Sequence, residues 1–498
     1  MSAAESAPSQ RTPSVAREFT PDPNWQRVRL ITGFEKLLLA HFGVIVVFTS
    51  WSFGGQAVFA RQFLLGWGTL GMALFVITAW REAHRSNTTP AWCARHLWPL
   101  MLFDLFVSLS CLNPTFRTAI HAGELVNVLM PPPHAWLPSS ARPDLTLREL
   151  WLVNGIILSC ACLYVGLQSR RAVRTALFIM AANGVILAIF GTLQKLVHAK
   201  GLWFGLVPSP QPLFFSTFVY HNHWGAFTLL NSAVCLALLF HYLRKNGNHR
   251  NVWHSPAPVG ALATLLLAAS LPLSGSRSST LLICLLLMIA AAHFLLSLMR
   301  RRKDLHESSA LPAAALVLTL ALAIGAITYL SRDTIITRTQ LTVQQVEQIR
   351  NATSLNARLQ LYVDTWRMAT EKPWFGWGLE SYAHVFGIFN TQRPIEPWFP
   401  RPFYAEAHND WLQSLAEVGV IGTGLLLLLG LLPLWSVIRA RVESVVPRYL
   451  LAGCGLLLLY AVFEFPLANP AVLISFGACF YCAVRYLQLE LSDRSTRT

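Results

Sequence analysis

Apolar runs of membrane-spanning length recur along the chain, separated by short basic connections and by a few longer mixed ones. Leu281 to Leu298 is the plainest of them, and the hydrocarbon core of a bilayer takes about 17–25 such residues as a helix. The pattern predicts about twelve spans, at residues 33–53, 62–80, 97–112, 150–167, 175–196, 224–242, 257–273, 279–298, 310–330, 417–438, 449–466 and 470–487. Within lipid every backbone polar group must be satisfied internally, so these runs read as helices. The expected fold is an all-α integral membrane protein. It divides into a cytoplasmic tail (1–32), a bundle of about nine spans (33–330), a large loop (331–416), further spans (417–487) and a second tail (488–498).

Basic residues orient this arrangement. The polar, Pro/Ser-rich opening carries Arg11, Arg17, Arg27 and Arg29 and predicts a cytoplasmic N-terminus. Alternate connections then hold Arg81/Arg85/Arg95, Arg170/Arg171/Arg174, Arg244/Lys245/Arg250, Arg300 to Lys303, Arg439/Arg441/Arg448 and Arg485/Arg494/Arg497. An even number of spans puts both termini inside, and the long connections 113–148, 197–223 and 331–416 outside, in the periplasm of a bacterial inner membrane.

Composition narrows the class. Hydrophobic residues make up 54% and charged residues 13%, against about 25% charged in an ordinary globular protein. Mean hydropathy is +0.46. Soluble multidomain enzymes, disulfide scaffolds and disordered proteins are excluded together. The net charge of +15 reflects cytoplasmic loops, not a nucleic-acid partner. The nine cysteines fall in or beside apolar runs as packed hydrophobes, and the Cys479/Cys482 pair has no basic neighbour to favour a thiolate. No phosphate-binding Gly-rich loop occurs, since Gly376-Trp377-Gly378 lacks a preceding strand and a Lys.

Candidate chemistry gathers on the outer side. In the long loop, Arg338 to Arg350 has the spacing of a helix lying on the bilayer surface. Leu355 to Glu371 predicts a second helix, with Leu359, Tyr362, Trp366 and Ala369 as an apolar stripe and Arg358 at its edge, ended by Lys372-Pro373. Pro373 to Gly378 reads as a tight aromatic turn, whose rings suit interfacial anchoring or stacking on sugars. A third helix is predicted from Ala407, running directly into the span near Val418. His408 at its N-terminus would meet the positive end of the dipole, which favours the neutral imidazole of a general base; a capping or packing histidine is the alternative.

Arg277, in Leu273-Ser274-Gly275-Ser276-Arg277-Ser278 between two apolar spans, calls for an anionic partner or snorkels to the interface. Glu464 and Asp104, the ionisable residues inside apolar runs, are candidate countercharges. His221 and His223 flank Asn222 ahead of the sixth span; they alternate as metal ligands on a strand do, but no third ligand is marked, and no metal or cofactor is expected.

Ser274 to Ser278 at a span end, Arg358 in the long loop, and His408-Asn409-Asp410-Trp411-Leu412-Gln413 with Glu417-Val418-Gly419-Val420-Ile421-Gly422 together resemble the O-antigen ligase family. That family also includes O-antigen polymerases and protein O-oligosaccharyltransferases. The resemblance covers about Thr175 to Tyr486; the amino-terminal third matches only in hydropathy. It implies a GT-C-like fold and a glycosyltransferase that moves a glycan from an undecaprenyl diphosphate carrier to an acceptor hydroxyl, without metal and with inversion. By similarity Arg277 and Arg358 engage the donor diphosphate and His408 activates the acceptor, while Asn222, Asn409 and Tyr362 are the implied substrate-binding residues. Guanidinium forks suit the charge developing on diphosphate oxygens. The further basic residues Arg338, Arg350, Arg367, Arg393 and Arg401 are read as solvated or lipid-facing.

The expected function is ligation of O-antigen to lipid A-core. Shared motifs leave open a polymerase of lipid-linked glycan or exopolysaccharide, or a transferase acting on protein. A transporter of lipid-linked sugars is the reading from another class; it predicts internal repeats and mid-membrane charges, whereas the sequence shows no clear repeat and few such charges.

Overall fold

The computed structural model describes residues 30–85, 88–121, 124–211, 213–245, 254–304, 357–392, 401–438 and 444–495, with four single positions between 314 and 336. The predicted span at 310–330, apart from two of those positions, and the predicted surface helix from Arg338 to Arg350 lie outside the described residues.

The order is α1 (Gly33–Trp51), α2 (Val58–Arg85), α3 (Thr88–Cys111), a hairpin of β1 (Phe116–His121) and β2 (Glu124–Leu129), α4 (Pro143–Gly166) and α5 (Arg170–Leu196). A two-residue ladder of β3 (Gly201–Leu202) and β4 (Val207–Pro208) precedes α6 (His221–Lys245), α7 (Ala257–Ser274) and α8 (Arg277–Asp304). Then come α9 (Ala357–Glu371), α10 (Tyr382–Phe389), α11 (Asp410–Ile438), α12 (Val445–Tyr460) and α13 (Pro470–Ser495). Both hairpins are antiparallel.

Among the described residues nine helices are long and apolar enough to cross a membrane: α1, α2, α4 to α8, α11 and α13. The predicted spans 97–112 and 449–466 are helical too, within α3 and the 16-residue α12. The second differs from expectation at its end. The chain leaves α12 at Tyr460 and runs through a turn to Pro466, which keeps Phe465, at φ −122° and ψ 59°, out of helical backbone. Glu464 therefore lies in a turn and not inside a span.

The core centres on α6, whose residues from Asn222 to Leu238 are all buried. A helix apolar all round belongs inside a bundle, and Trp224, Leu230 and Val234 share one cluster with Leu267 of α7, Leu457 of α12 and Cys479 of α13. Where helices need close approach the residues are small: a Cβ on Gly155 of α4 would lie 2.7 Å from Gly68 of α2. Cys160, Cys162, Cys235, Cys454, Cys479 and Cys482 are buried free thiols.

A lobe formed by α9, α10 and the segment before α11 has a core of its own, in which Leu361, Met368, Trp377, Tyr382, Phe386 and Ala407 pack together. It is stitched to the bundle at a break in α11. Gly419 adopts φ 65°, and a side chain there would meet the Trp374 carbonyl at 2.4 Å. The helix thus does not run straight from the His408 segment into the membrane, as the sequence pattern predicts. Instead the carbonyls of Ala416 and Glu417 accept from Trp377 and Gly378, while Val420 and Ile421 donate to Pro373 and Trp374. The buried Glu417 carboxylate adds bonds from the backbone N–H groups of Glu380 and Tyr382, at 3.0 and 3.1 Å.

Candidate active site

α11 starts at Asp410 and not at Ala407. Asn409 is its N-cap, with Oδ1 accepting from the Leu412 N–H at 3.0 Å. His408 precedes the cap in the left-handed region, at φ 53°. Two contacts hold it there: the Tyr362 hydroxyl of α9 donates to its carbonyl at 2.9 Å, and the Phe465 ring meets the imidazole edge-on, 4.7 Å between centroids.

The segment after α12 grips the start of α11 from below. The Asp410 N–H donates to the Ala461 carbonyl at 2.9 Å, the Leu467 N–H to Asp410 Oδ2 at 2.9 Å, and Trp411 Nε1 to the Leu458 carbonyl at 3.1 Å. This docking carries Glu464 to His408. Glu464 Oε2 lies 3.5 Å from His408 Nδ1, and Glu464 Oε1 accepts from Arg358 Nη2 at 3.0 Å. Arg358 Nη2 is also 3.5 Å from His408 Nδ1. One nitrogen cannot donate to the carboxylate and accept from the guanidinium at once. The charge-assisted bond to the carboxylate is the stronger, so Nδ1 carries the hydrogen, and in the neutral form of the ring the lone pair is at Nε2.

The Glu464 side chain is only 4% exposed. Burial pushes its carboxyl upward, but the His408 hydrogen bond and the Arg358 charge outweigh that and hold it below the ordinary value. Its remaining partner is the Tyr220 hydroxyl, which donates to Oε2 at 3.2 Å and accepts from Asn222 Nδ2 at 2.9 Å. Asn222 Oδ1 in turn accepts from the Ser276 hydroxyl at 2.7 Å. A chain of bonds thus runs from Glu464 to the residue before Arg277. Gly275, at φ 79°, ends α7 in a left-handed turn, and Arg277 opens α8 as an exposed side chain.

Of the residues singled out from the sequence, Arg358 and His408 meet directly, Tyr362 holds His408, Asn222 joins through Tyr220, and Arg277 joins through its neighbour Ser276. Asn409 turns its side-chain oxygen inward as a cap. Asp104 accepts from Asn154 Nδ2 at 2.9 Å on α3 and α4. Glu464 is bonded to Arg358 and His408, so it is countercharge to the loop and not a mid-membrane charge. His223 is buried against the Phe465 carbonyl, 3.3 Å from Nε2. Among the described residues no group of His, Cys, Asp and Glu is arranged to hold a metal ion.

Tyr220 was not singled out from the sequence, and Glu464 was named there as a candidate countercharge without Arg358 and His408 as its partners. For Glu464 the readable signal was Pro466, which marks the non-helical segment that carries the buried carboxylate; for Tyr220 there was only its place beside Asn222.

Residues 262–427 match the family model described as O-Antigen ligase. That stretch contains Arg277, Arg358 and His408, and stops short of Glu464. A search of curated proteins returned no match.

Proposed function

Since residues 262–427 match the O-antigen ligase family model, we propose that this membrane protein moves a glycan from an undecaprenyl diphosphate carrier to an acceptor hydroxyl. The acceptor in this reading is lipid A-core, and transfer occurs at the periplasmic face of the inner membrane. The observation that carries it is the meeting of Arg358 and His408 on the buried carboxylate of Glu464.

His408 Nε2 takes the proton of the acceptor hydroxyl as that oxygen attacks the anomeric carbon. The bond from that carbon to the phosphate oxygen breaks, and the diphosphate leaves on its carrier. Attack opposite the leaving group inverts the anomeric centre. Glu464 holds Nδ1–H and fixes the tautomer that leaves Nε2 basic. Arg358 and Arg277 supply the positive charge that the leaving diphosphate requires, the role otherwise filled by a metal. Asn222, Asn409 and Tyr362 serve substrate binding by holding the segments that carry these three groups. The same reading takes the fold as a GT-C-like bundle of about twelve spans, with residues 331–416 periplasmic and both termini cytoplasmic.

The lipopolysaccharide profile of a deletion strain, complemented with wild-type protein or with His408→Ala at equal level, tests this. Loss of long chains from lipid A-core, polymer accumulating on the carrier and no rescue by His408→Ala are expected. Core bearing one repeat unit would make the protein a polymerase, and an unchanged profile would reject O-antigen transfer. A transporter requires that His408→Ala and Arg358→Ala leave transfer intact while Asp104→Asn abolishes it.

A further inference from the structure

A cavity of about 510 Å³ lies among α3, α4, α11, α12 and α13, within the size range of ligand sites, about 300–1,000 Å³. Glu406 and Asp410 line it, whereas His408, Arg358 and Glu464 do not. It is amphipathic. Ile156, Leu427, Leu458, Phe476 and Phe480 form its apolar wall, and the end nearest the lobe is polar.

The charge at that end is unbalanced. Arg61 Nη1 bonds Glu149 Oε2 at 3.2 Å and Glu380 Oε1 at 3.3 Å. Glu406 accepts only from Gln413 Nε2, at 2.6 Å, among its described hydrogen bonds. Two more lining carboxylates, Asp410 and Glu417, are already met by backbone N–H groups. Arg148 lies within electrostatic range of Glu149 but is exposed, so water screens it. The carboxyl groups of Glu149, Glu380 and Glu406 therefore compete for one guanidinium at the mouth of an apolar shaft, leaving them under-compensated by positive charge. A headgroup of net negative charge, a diphosphate above all, would be repelled, and an ammonium would be drawn in.

Gly430 of α11 and Gly455 of α12 line the shaft, and a Cβ at either would meet nothing within 4 Å. A side chain at either position starts into open space at the cavity wall, and leucine is the better helix former by roughly 0.5–1 kcal/mol, so a leucine adds bulk there without weakening the helix.

We propose that this cavity binds a zwitterionic aminophospholipid, its acyl chain along the apolar wall, its ammonium at Glu380 and Glu406, and its phosphate at Arg61. The site is distinct from the one described above and does not depend on which glycan the protein handles.

Full-length protein, delipidated in mild detergent and titrated with phosphatidylethanolamine or phosphatidylglycerol of identical chains, is read by native mass spectrometry. Retention of phosphatidylethanolamine about tenfold or more above phosphatidylglycerol is expected. Gly455→Leu should abolish that retention, and Glu406→Gln should shrink the preference severalfold. Should Gly455→Leu fail to give monodisperse protein, Gly430→Leu carries the same expectation. Equal or better retention of phosphatidylglycerol, or phosphatidylethanolamine held undiminished by a folded leucine variant, overturns the proposal.

Discussion

Residues 406–410 separate two polar clusters built from the same residue types with opposite outcomes. On one side the Glu464 carboxyl meets His408 and Arg358; on the other Glu406 shares the Arg61 guanidinium with Glu149 and Glu380. Burial acts on both carboxyls and pushes both upward. Beside Glu464 the neighbours are cationic or donating, and its carboxyl ends below the ordinary value. Around Glu406 burial and the Glu380 charge prevail over the Gln413 bond and Arg61, and the carboxyl is pushed up to about 7. Depth alone does not decide the charge state of a group; the count of opposite charges within reach does. One cluster is thereby suited to an anionic leaving group and the other to a cation.

The largest expected effect falls on the His408 side. Replacing His408 with Ala removes the proposed base, and transfer to acceptor, followed with purified protein and lipid-linked glycan, should drop about 10²–10⁴-fold. Glu464→Gln keeps the size of the side chain but loses the charge-assisted bonds. At about 1.5–3 kcal/mol for such a bond, transfer should fall roughly ten- to a hundredfold, with Glu464→Asp recovering part of it. If Glu464→Gln matched wild type, the carboxylate would be a bystander and the contrast between clusters would lose its functional meaning.

Both clusters hang from the break at Gly419. Gly419→Ala forces a left-handed residue with a Cβ against the Trp374 carbonyl, and a loss of at least about 1–3 kcal/mol of stability should appear as lowered thermal stability. Unchanged melting would mean that the lobe can dock on a straight α11. The smallest effect separates the two carboxyls by pH. Because Glu464 is depressed, its stabilising contribution is complete above the ordinary carboxylate range and is lost as pH falls through its folded value. Glu406 is raised, so its contribution is present below the ordinary range and lost as pH rises through about 7. In delipidated protein, Glu406→Gln should melt with wild type near the ordinary carboxylate value and above it at pH 8. A gap that widened on acidification would reverse the assignment.

The membrane bundle was legible because hydropathy is a local property: a run such as Leu281 to Leu298 must be a helix wherever it packs, since lipid offers its backbone no other partner. Arg358 and His408 were singled out as candidates as well, through residue type and motif. Helix ends were less legible. α12 stops at Tyr460, ahead of the turn that leads to Pro466, and α11 begins at Asp410, capped by Asn409, ends that the apolar pattern hides.

What only the tertiary structure decided are the long-range pairings. Glu464 stands 106 positions from Arg358 and 56 from His408 in sequence, and Glu380 stands 319 from Arg61. No spacing rule reaches that far. These groups meet because a break at one glycine lets the lobe exchange backbone bonds with α11, and because α12 ends early enough to lift a carboxylate out of an apolar run. The sequence determined which segments are apolar enough to cross lipid and which side chains are candidates for chemistry; packing determined which carboxylate faces which cation, because electrostatic partners are chosen by distance in space and by the water excluded around them.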